Sequence, residues 1–271
     1  MVELTRTVRF CINTGGDWPA HEAGLPPRHN TYSAWPAMRG LGRYYELRVR
    51  CRGEVDPVTG YFVNIRHIDA AARQYAIPFL HGLRDSRDSP PMGLVMENLL
   101  QLMQHALDGS VVELRLCLTP CYSLSIRSDD MEAVLIRQQF EFSAAHRLHV
   151  PQLSDEENRR VFGKCNNPSG HGHNYRVEIC LRSRMGMTGQ VCDLEKIDEL
   201  VDRVVIQKLD HKHLNLDVPQ FRDDGGRLNP SVENIAKVIY DMLRDETKSI
   251  AAELKEVSVW ETEKTVCTYG G

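Results

Sequence analysis

Apolar and polar residues alternate along several stretches in the second half of the chain. Every second residue of one such stretch is apolar, at Tyr175, Val177, Ile179 and Leu181. This alternation predicts a β-strand, because successive side chains on a strand point to opposite faces of a sheet. Two other ranges space their apolar residues three and four apart, which predicts amphipathic helices. The predicted order is strand, strand, helix, helix, strand, strand, at 133–146, 173–182, 194–208, 231–245, 255–262 and 265–269.

The first half of the chain repeats this arrangement. The matching segments are 40–49 with 170–179, 59–69 with 188–198, and 97–98 with 233–234, at offsets of 130, 129 and 136. Similar segments in the same order, separated by nearly constant offsets, indicate an internal repeat. Small differences between the offsets are consistent with insertions in loops.

The repeat predicts an α+β protein with two tandem domains, at 1–128 and 129–271. Each domain is expected to hold a four-stranded antiparallel sheet and two helices. A length of 271 residues suits two domains of this size. Glycine, proline and polar residues predict loops at 15–37 and 85–91.

Three histidines in the second half form a candidate metal site. His171 and His173 are two residues apart on a predicted strand, so both side chains lie on one face, and Gly172 leaves room between them. His146 ends another predicted strand, and an antiparallel neighbour could bring it within reach. Three imidazoles without a fourth protein ligand describe an open, catalytic zinc site, although copper, iron and nickel also bind imidazole. Cys165 as a fourth ligand would instead make a closed, structural site.

Composition narrows the classes of function. The net charge of −4 gives no reason to expect nucleic-acid binding, although Arg147, Lys164 and Lys212 place positive charge beside the candidate site. No apolar run approaches 18 residues, so no membrane span is predicted. The amino-terminal residues lack the apolar core of a signal peptide, and the eight cysteines are therefore expected to be reduced thiols in the cytoplasm.

Several motifs in residues 134–271 closely resemble the 6-pyruvoyl tetrahydropterin synthase family. They lie in the same order and at similar spacing as in that family, over about half of the chain. The motifs are Phe142-Ser-Ala-Ala-His-Arg-Leu148, Gly163-Lys-Cys-Asn-Asn-Pro-Ser-Gly-His-Gly-His-Asn-Tyr175, Leu209-Asp-His-Lys-His-Leu-Asn215, Ser231-Val-Glu-Asn-Ile-Ala236 and Val257-Ser-Val-Trp-Glu-Thr262.

The resemblance implies a role for each of these residues. Cys165 is expected to be the catalytic base, and Asp210 with His211 the rest of the proton-transfer group. Glu261 is expected to anchor the pterin ring. The substrate is expected to be 7,8-dihydroneopterin triphosphate, with Zn²⁺ binding the hydroxyls of its side chain. The implied zinc ligands are His146, His171 and His173.

Elementary chemistry agrees with these roles. A metal ion acidifies a hydroxyl that it holds, and a thiolate near a dication can remove a carbon-bound proton at neutral pH. An aspartate can orient a histidine and stabilise its charged form. Asp210 and His211 are neighbours and cannot easily pair on a regular element, so we expect an irregular segment there.

Four other polar residues near the motifs have less specific interpretations. The resemblance places Ser231 and Glu233 at the substrate, although the family often has threonine where this chain has Ser231 and the residue after it. Pro230 and Ser231 also suit the start of a helix, in which Glu233 would be a first-turn carboxylate favoured by the helix dipole. His149 and His213 match no ligand position and are predicted to be ordinary polar residues.

The first domain is predicted to have lost its chemistry. Leu41 and Arg43 replace the histidine pair, and Thr14 occupies the third ligand position. The family joins several such sheets into a barrel, the tunnelling fold, with active sites between subunits. We therefore expect a symmetric homo-oligomer in which the first domain is architectural.

Three functions compete on the sequence alone. The first is 6-pyruvoyl tetrahydropterin synthase, a zinc-dependent lyase that eliminates triphosphate. The second is 6-carboxytetrahydropterin synthase of the queuosine pathway, which takes the same substrate and releases acetaldehyde and triphosphate. The third is a pterin-binding or scaffold protein without turnover. Five residues separate Cys165 from His171, a spacing that resembles the first class more than the second.

Overall fold

The fold was described from a computed structural model covering residues 1–14, 32–84, 90–222 and 228–270. Most of the two loops predicted at 15–37 and 85–91 lies outside these ranges. The chain divides into two compact units. The first unit comprises residues 1–136 and 184–191, and the second comprises 137–183 and 192–271. Among the described residues, no helix is long and apolar enough to cross a membrane.

The first unit contains four antiparallel strands in sequential order. They are β1 (Val2–Ile12), β2 (Arg43–Gly53), β3 (Val111–Thr119) and β4 (Tyr122–Arg127). Strand β1 pairs along its whole length with β2, from Val2 opposite Gly53 to Ile12 opposite Arg43. Their inward residues alternate with polar ones, and Val8, Phe10, Leu47 and Val49 are fully buried.

Helices cover one face of the first sheet. They are α1 (Ile65–Ala71), α2 (Ile77–Leu83) and α3 (Met92–Ala106), and a π-helical turn at Ala72–Ala76 joins the first two. The Asn64 side chain caps α1 by accepting a hydrogen bond from the Arg66 amide. Helix α3 packs on β3 and β4, and its buried side chains include Met96, Leu99, Leu100 and Met103.

The second unit also combines antiparallel strands with helices. Its strands are β5 (Asp130–His146), which begins in the first unit, β6 (His171–Arg184), β7 (Lys212–His213), β8 (Ala252–Thr262) and β9 (Thr265–Gly270). The hydrogen-bonded order is β5–β6–β8–β9, with β6, β8 and β9 antiparallel. The short strand β7 lies parallel to β5, beside Ala144 and Ala145. These strands carry most of the candidate site.

Helices and short turns complete the second unit. They are α4 (Asp155–Phe162), a 3₁₀ turn (Gly163–Asn166), α5 (Leu194–Val201), a π-helical turn (Asp202–Ile206), α6 (Gln207–Leu209), α7 (Leu214–Asp217), α8 (Val232–Leu243) and a 3₁₀ turn (Glu246–Ile250). Helix α8 packs on β8 and β9 through Ile235, Val238 and Ile239. Each such buried side chain stabilises the fold by about 1.5–3 kcal/mol.

The predicted α+β class with antiparallel strands is confirmed, and all six elements predicted for the second half are present. Helix α4 was not predicted. It begins with a capping box, in which Ser154 accepts from the Glu157 amide and the Glu157 carboxylate accepts from the Ser154 amide. The two π-helical turns were also not predicted. They start 130 residues apart, at Ala72 and Asp202, which matches the offset of the sequence repeat.

Candidate active site

The three predicted ligand histidines converge in the second unit. His146 ends β5 and is 0% exposed, and His171 and His173 open the neighbouring strand β6. One ligand atom from each ring lies within 4.8 Å of the other two. The Nε2 atoms of His146 and His171 are 3.1 Å apart. Period-two geometry on β6 and the pairing of β5 with β6 therefore produce the cluster that the spacing predicted.

A buried hydrogen bond fixes the protonation of His146. Its Nδ1 lies 2.7 Å from the Pro230 carbonyl oxygen and 3.3 Å from the Tyr175 hydroxyl. A carbonyl only accepts, so the proton is assigned to Nδ1, and the Nε2 lone pair faces the cluster. Burial lowers the pKa of His146 to about 4, despite an opposing contribution from the Pro230 hydrogen bond. Burial also lowers the pKa of His171, and His173 adds to this effect.

The donor set fits a metal ion. Nδ1 of His171 and Nε2 of His173 are buried, and neither has a hydrogen-bond partner among the residues that the structure describes. An unsatisfied buried polar atom costs about 1–3 kcal/mol, and coordination of the ring would offset part of that cost. Three neutral imidazoles suit Zn²⁺, and they also suit copper, iron and nickel. Cys165 contributes no ligand atom to this cluster, so the arrangement is that of an open site.

A carboxylate lies against the cluster. Glu261, near the end of β8, places Oε1 3.4 Å from Nε2 of His146 and 3.7 Å from Nε2 of His173. The neighbouring pair Trp260 and Arg176 sits opposite across β8 and β6, with the guanidinium stacked on the indole ring. The Glu261 carboxylate thus lies beside the rings of His146 and His173.

Cys165 lies on the 3₁₀ turn between α4 and β6. Its carbonyl accepts a hydrogen bond of 2.8 Å from the Leu148 amide. The next residue, Asn166, is buried, and its side-chain amide donates to the Leu148 carbonyl at 2.7 Å. The Arg147 guanidinium completes the connection by donating to the carbonyl and the side-chain oxygen of Asn166. These bonds tie the thiol-bearing turn to the segment that follows His146.

Asparagine side chains hold that segment in place. Asn215 forms two hydrogen bonds with the main chain of Arg147, accepting from its amide at 2.8 Å and donating to its carbonyl at 3.0 Å. Asn158 does the same for Val150, at 2.8 and 2.9 Å. The segment is neither helix nor strand, so these side-chain amides satisfy its backbone groups. Its geometry fixes both His146 and the Cys165 turn.

Asp210 and His211 form a pair on an irregular segment, as expected. Their contact joins Asp210 Oδ2 to His211 Nδ1 at 2.7 Å, and His211 adopts a left-handed backbone with φ 55. Ser143 on β5 anchors both residues: its amide donates to Asp210 Oδ1, and its carbonyl accepts from the His211 amide. The Ser143 amide, and then the His211 side chain, lower the pKa of Asp210.

The pair faces outward within one chain. The His211 side chain is 83% exposed. Within the described ranges, the Cys165 thiol makes no hydrogen bond to Asp210 or His211. The structure therefore brings the metal ligands and Glu261 together and forms the Asp–His pair, but it does not bring that pair into contact with Cys165.

A groove of about 530 Å³ runs beside these residues. Its lining includes Ser143, His173, His211 and His213. Within the described part of the chain, Nδ1 of His213 is buried without a hydrogen-bond partner, and His213 is among the charges that lower the pKa of His146. Sequence reasoning treated His213 as an ordinary polar residue. Its position two residues after His211 is the only signal that could have pointed to the groove.

Ser231 and Glu233 lie at the start of α8. Ser231 is the residue before the helix, and its side chain makes no capping bond to the helix backbone. A hydrogen bond from Ser231 instead lowers the pKa of Glu233, which is in the first turn. The carbonyl of Pro230, directly before them, accepts the hydrogen bond from Nδ1 of His146. The start of the helix is thus connected to the ligand cluster through Pro230.

Comparison with known proteins accounts for this constellation. The family model for 6-pyruvoyl tetrahydropterin synthase matches residues 135–271. The chain belongs to this family. The match contains the three histidines, Cys165, the Asp210–His211 pair and Glu261, while residues 1–134 lie outside it.

Individual relatives align over the same half. The chain is 45% identical over 141 residues to a 6-pyruvoyl tetrahydrobiopterin synthase of Drosophila melanogaster, covering 51% of this chain and 80% of the relative. It is 44% identical over 132 residues to the enzyme of that name from Poecilia reticulata, covering 48% and 85%. The solved structure of Caenorhabditis elegans 6-pyruvoyl tetrahydropterin synthase is 38% identical with a TM-score of 0.46, and covers 51% of this chain and 96% of that one.

Proposed function

We propose that this protein is a zinc-dependent lyase that converts 7,8-dihydroneopterin triphosphate to 6-pyruvoyl tetrahydropterin with loss of triphosphate. The observation that carries the proposal is the three-histidine cluster, with Cys165 nearby in sequence, inside the region matched by the family model. Relatives that share 44–45% identity over this region are named 6-pyruvoyl tetrahydrobiopterin synthases.

The metal would be held by His146, His171 and His173. When bound, it supplies a Lewis acid that lowers the pKa of a coordinated hydroxyl and stabilises developing negative charge. His146 suits this role because the Pro230 carbonyl orients its ring and keeps the proton on Nδ1. Burial keeps the ring neutral at physiological pH, so its Nε2 is available as a ligand.

Cys165 is proposed to remove the carbon-bound proton from the substrate side chain. Its turn is held against the segment after His146 by Asn166 and Arg147, which fixes the distance between the thiol and the ligand cluster. Asp210 is proposed to orient His211 through Nδ1, leaving Nε2 of His211 to carry a proton to or from the substrate.

The two glutamates are proposed to bind opposite ends of the substrate. Glu261 lies 3.4–3.7 Å from two ligand nitrogens, so its carboxylate is within reach of a hydroxyl on the substrate side chain. The amino-pyrimidinone edge of a pterin is at the far end of the bicyclic ring from that side chain. The sequence resemblance gave the anchoring of this edge to Glu261, and we propose Glu233 in its place, with Ser231 orienting the Glu233 carboxylate.

The first domain, residues 1–128, is proposed to be a degenerate copy of the second, residues 129–271. Equivalent π-helical turns support this proposal, since both join two helices at an offset of 130.

Equivalent contacts also support it. The Arg6 guanidinium on β1 binds Asp69 on α1, and the Gln138 amide on β5 binds Asp198 on α5. Both contacts connect the first strand of a unit to the helix that leads into its π-helical turn. The polar partners differ, but the aspartate is the same and the paired positions are 132 and 129 residues apart.

Assembly into a tunnelling-fold barrel of several chains is part of the same proposal. The exposed His211 side chain favours a site completed by a second copy, because a catalytic imidazole is normally shielded by its substrate or a neighbour. The cytoplasmic location also stays a prediction.

The proposal is tested by identifying the product. The full chain, loaded with Zn²⁺, is incubated with 7,8-dihydroneopterin triphosphate, and the products are identified by mass. We expect 6-pyruvoyl tetrahydropterin and triphosphate. Carboxytetrahydropterin with acetaldehyde would assign the protein to the second class predicted from sequence. No conversion with zinc bound and Cys165 reduced would contradict an enzymatic role. His149→Gln, outside the cluster, serves as the matched control for His171→Gln.

A further inference from the structure

A second cavity, of about 510 Å³, lies beside the catalytic groove in the second unit. Three cationic side chains line it, from the π-helical turn, from α6 and from β7: Arg203, Lys208 and Lys212. Apolar side chains, including Val204, Val218 and Met242, form part of the wall. The cavity thus combines positive charge with a partly apolar lining, in which a bound anion is screened less by water.

The lining also holds two carboxylates, of which one is in an ion pair with a cation of the cavity. Glu246 forms an ion pair with Arg203 at 3.2 Å, and Asp217 accepts a hydrogen bond of 2.7 Å from the His213 amide. Lys208 and Lys212 form no ion pair with any residue that the structure describes. The charges of Arg203 and Glu246 cancel, and the two ammonium groups exceed the remaining Asp217 carboxylate by one positive charge.

One residue lines both the cavity and the groove of the candidate active site. Lys212 lines both the cavity and the groove that contains His173 and His211. It stands between His211 and His213 on the segment that pairs with β5. A molecule seated in the groove with an extended anionic tail would pass Lys212 on its way into the cavity.

The local helix geometry places the cations together. Residues five apart lie on one side of a π-helical turn, where residues four apart would do so on an α-helix. The turn at Asp202–Ile206 thereby brings Arg203 and Lys208 to the same wall. The equivalent position to Lys208 in the first unit, at an offset of 130, is Pro78, so that unit lacks this pair of cations.

We infer that this cavity binds the polyphosphate chain of the substrate, with Lys208 and Lys212 as its principal contacts. The inference rests on the proposed function for the identity of the substrate. Ammonium groups act as point charges that form strong, charge-assisted hydrogen bonds with phosphate oxygens. The cavity would hold the leaving group while the pterin end is held at Glu233 and the ligand cluster.

The direct test measures binding of inorganic tripolyphosphate to the full chain by isothermal titration calorimetry. We expect binding to weaken about tenfold in Lys208→Gln and in Lys212→Gln, because each removes one charge-assisted contact. Lys196→Gln removes the same charge from an exposed position on α5, and should bind like the wild type. His173→Ala should also bind normally, which separates the cavity from the metal site. Unchanged affinity in both Lys208→Gln and Lys212→Gln would overturn the assignment.

Kinetics connect the cavity to turnover. Tripolyphosphate should inhibit competitively against the pterin substrate, and Lys208→Gln should raise KM with little change in kcat. Non-competitive inhibition would show a separate anion site and refute the connection to the substrate tail. If the wild-type chain converts no pterin, but the two lysine variants bind tripolyphosphate more weakly than the wild type, then the proposed function is wrong and the anion site is supported.

Discussion

Replacing Gly170 by alanine should disturb the metal site through its Cβ atom. Gly170 has φ +71 and directly precedes the ligand His171. A Cβ built there would lie 2.7 Å from Nε2 of His213 and 3.0 Å from the carbonyl oxygen of His146. Both distances are shorter than ordinary contacts, and the carbonyl belongs to a ligand residue. The substitution must therefore move the backbone on one or both sides of the cluster.

The magnitude has two parts. A left-handed backbone costs a non-glycine residue about 1–2 kcal/mol. Forcing extra volume into a packed site costs about a further 1–3 kcal/mol. Gly170→Ala should thus lose about 2–5 kcal/mol of unfolding free energy in urea denaturation. Metal affinity should fall about 10–100-fold, the usual effect of disturbing residues that orient ligands.

Gly60→Ala provides a matched control. Gly60 has φ +70, and a Cβ there would meet nothing within 4 Å. It should lose only the backbone term of about 1–2 kcal/mol, and its metal affinity should equal that of the wild type. Metal affinity is read from competition with a chromophoric chelator. Equal losses of stability in the two variants, with normal metal binding by Gly170→Ala, would show that the crowding argument is wrong.

Three further predictions follow from the same contacts. Cys165→Ser should keep the metal but slow product formation about 10²–10⁴-fold, because it removes the proposed base; an unchanged rate would assign the proton transfer elsewhere. Asn215→Ala should lose about 2–4 kcal/mol of unfolding free energy in urea denaturation, because it leaves the backbone amide and carbonyl of Arg147 unpaired. Asn167→Ala removes an exposed asparagine side chain and should lose less than about 1 kcal/mol. The metal-free protein should lose up to about 3 kcal/mol of unfolding free energy as pH falls from 6.5 to 4, because His146 binds a proton more readily in the unfolded chain than in the folded one. The variant His146→Asn should lack this part of the pH dependence, which is measured by urea denaturation at each pH.

Alternation along the chain predicted the strands well, because one face of each strand is buried and the other is polar. The same period placed His171 and His173 on one face, and the structure adds the pairing that brings in His146. Helix α4 was missed because its residues are mostly charged, yet Ser154 and Glu157 form a capping box that the sequence displays. Its polar composition masked a local signal that was present.

Other features depend on tertiary contacts that no local pattern reports. Asn215 and Arg147 are 68 residues apart, and nothing in either segment indicates their two hydrogen bonds. The position of Glu261 beside His146 depends on the order of the strands, which places β8 next to β6. The resemblance predicts that Glu261 anchors the pterin ring, and only the coordinates show that its carboxylate lies 3.4 Å and 3.7 Å from nitrogens of His146 and His173.

The two π-helical turns allow one backbone feature to be compared in two different settings within a single polypeptide. One turn lies in the half that carries the three histidines, and the other lies in the half where Leu41 and Arg43 occupy the positions of the histidine pair. On the proposed duplication, the wider turn is older than the divergence of the two halves and has survived the loss of chemistry in one of them. Deleting one residue from the turn at Ala72–Ala76 would report on its architectural value alone. The same deletion at Asp202–Ile206 would measure its effects on folding and on the proposed catalysis together. Comparing the two deletions would therefore separate the contribution of the turn to the fold from its contribution to catalysis.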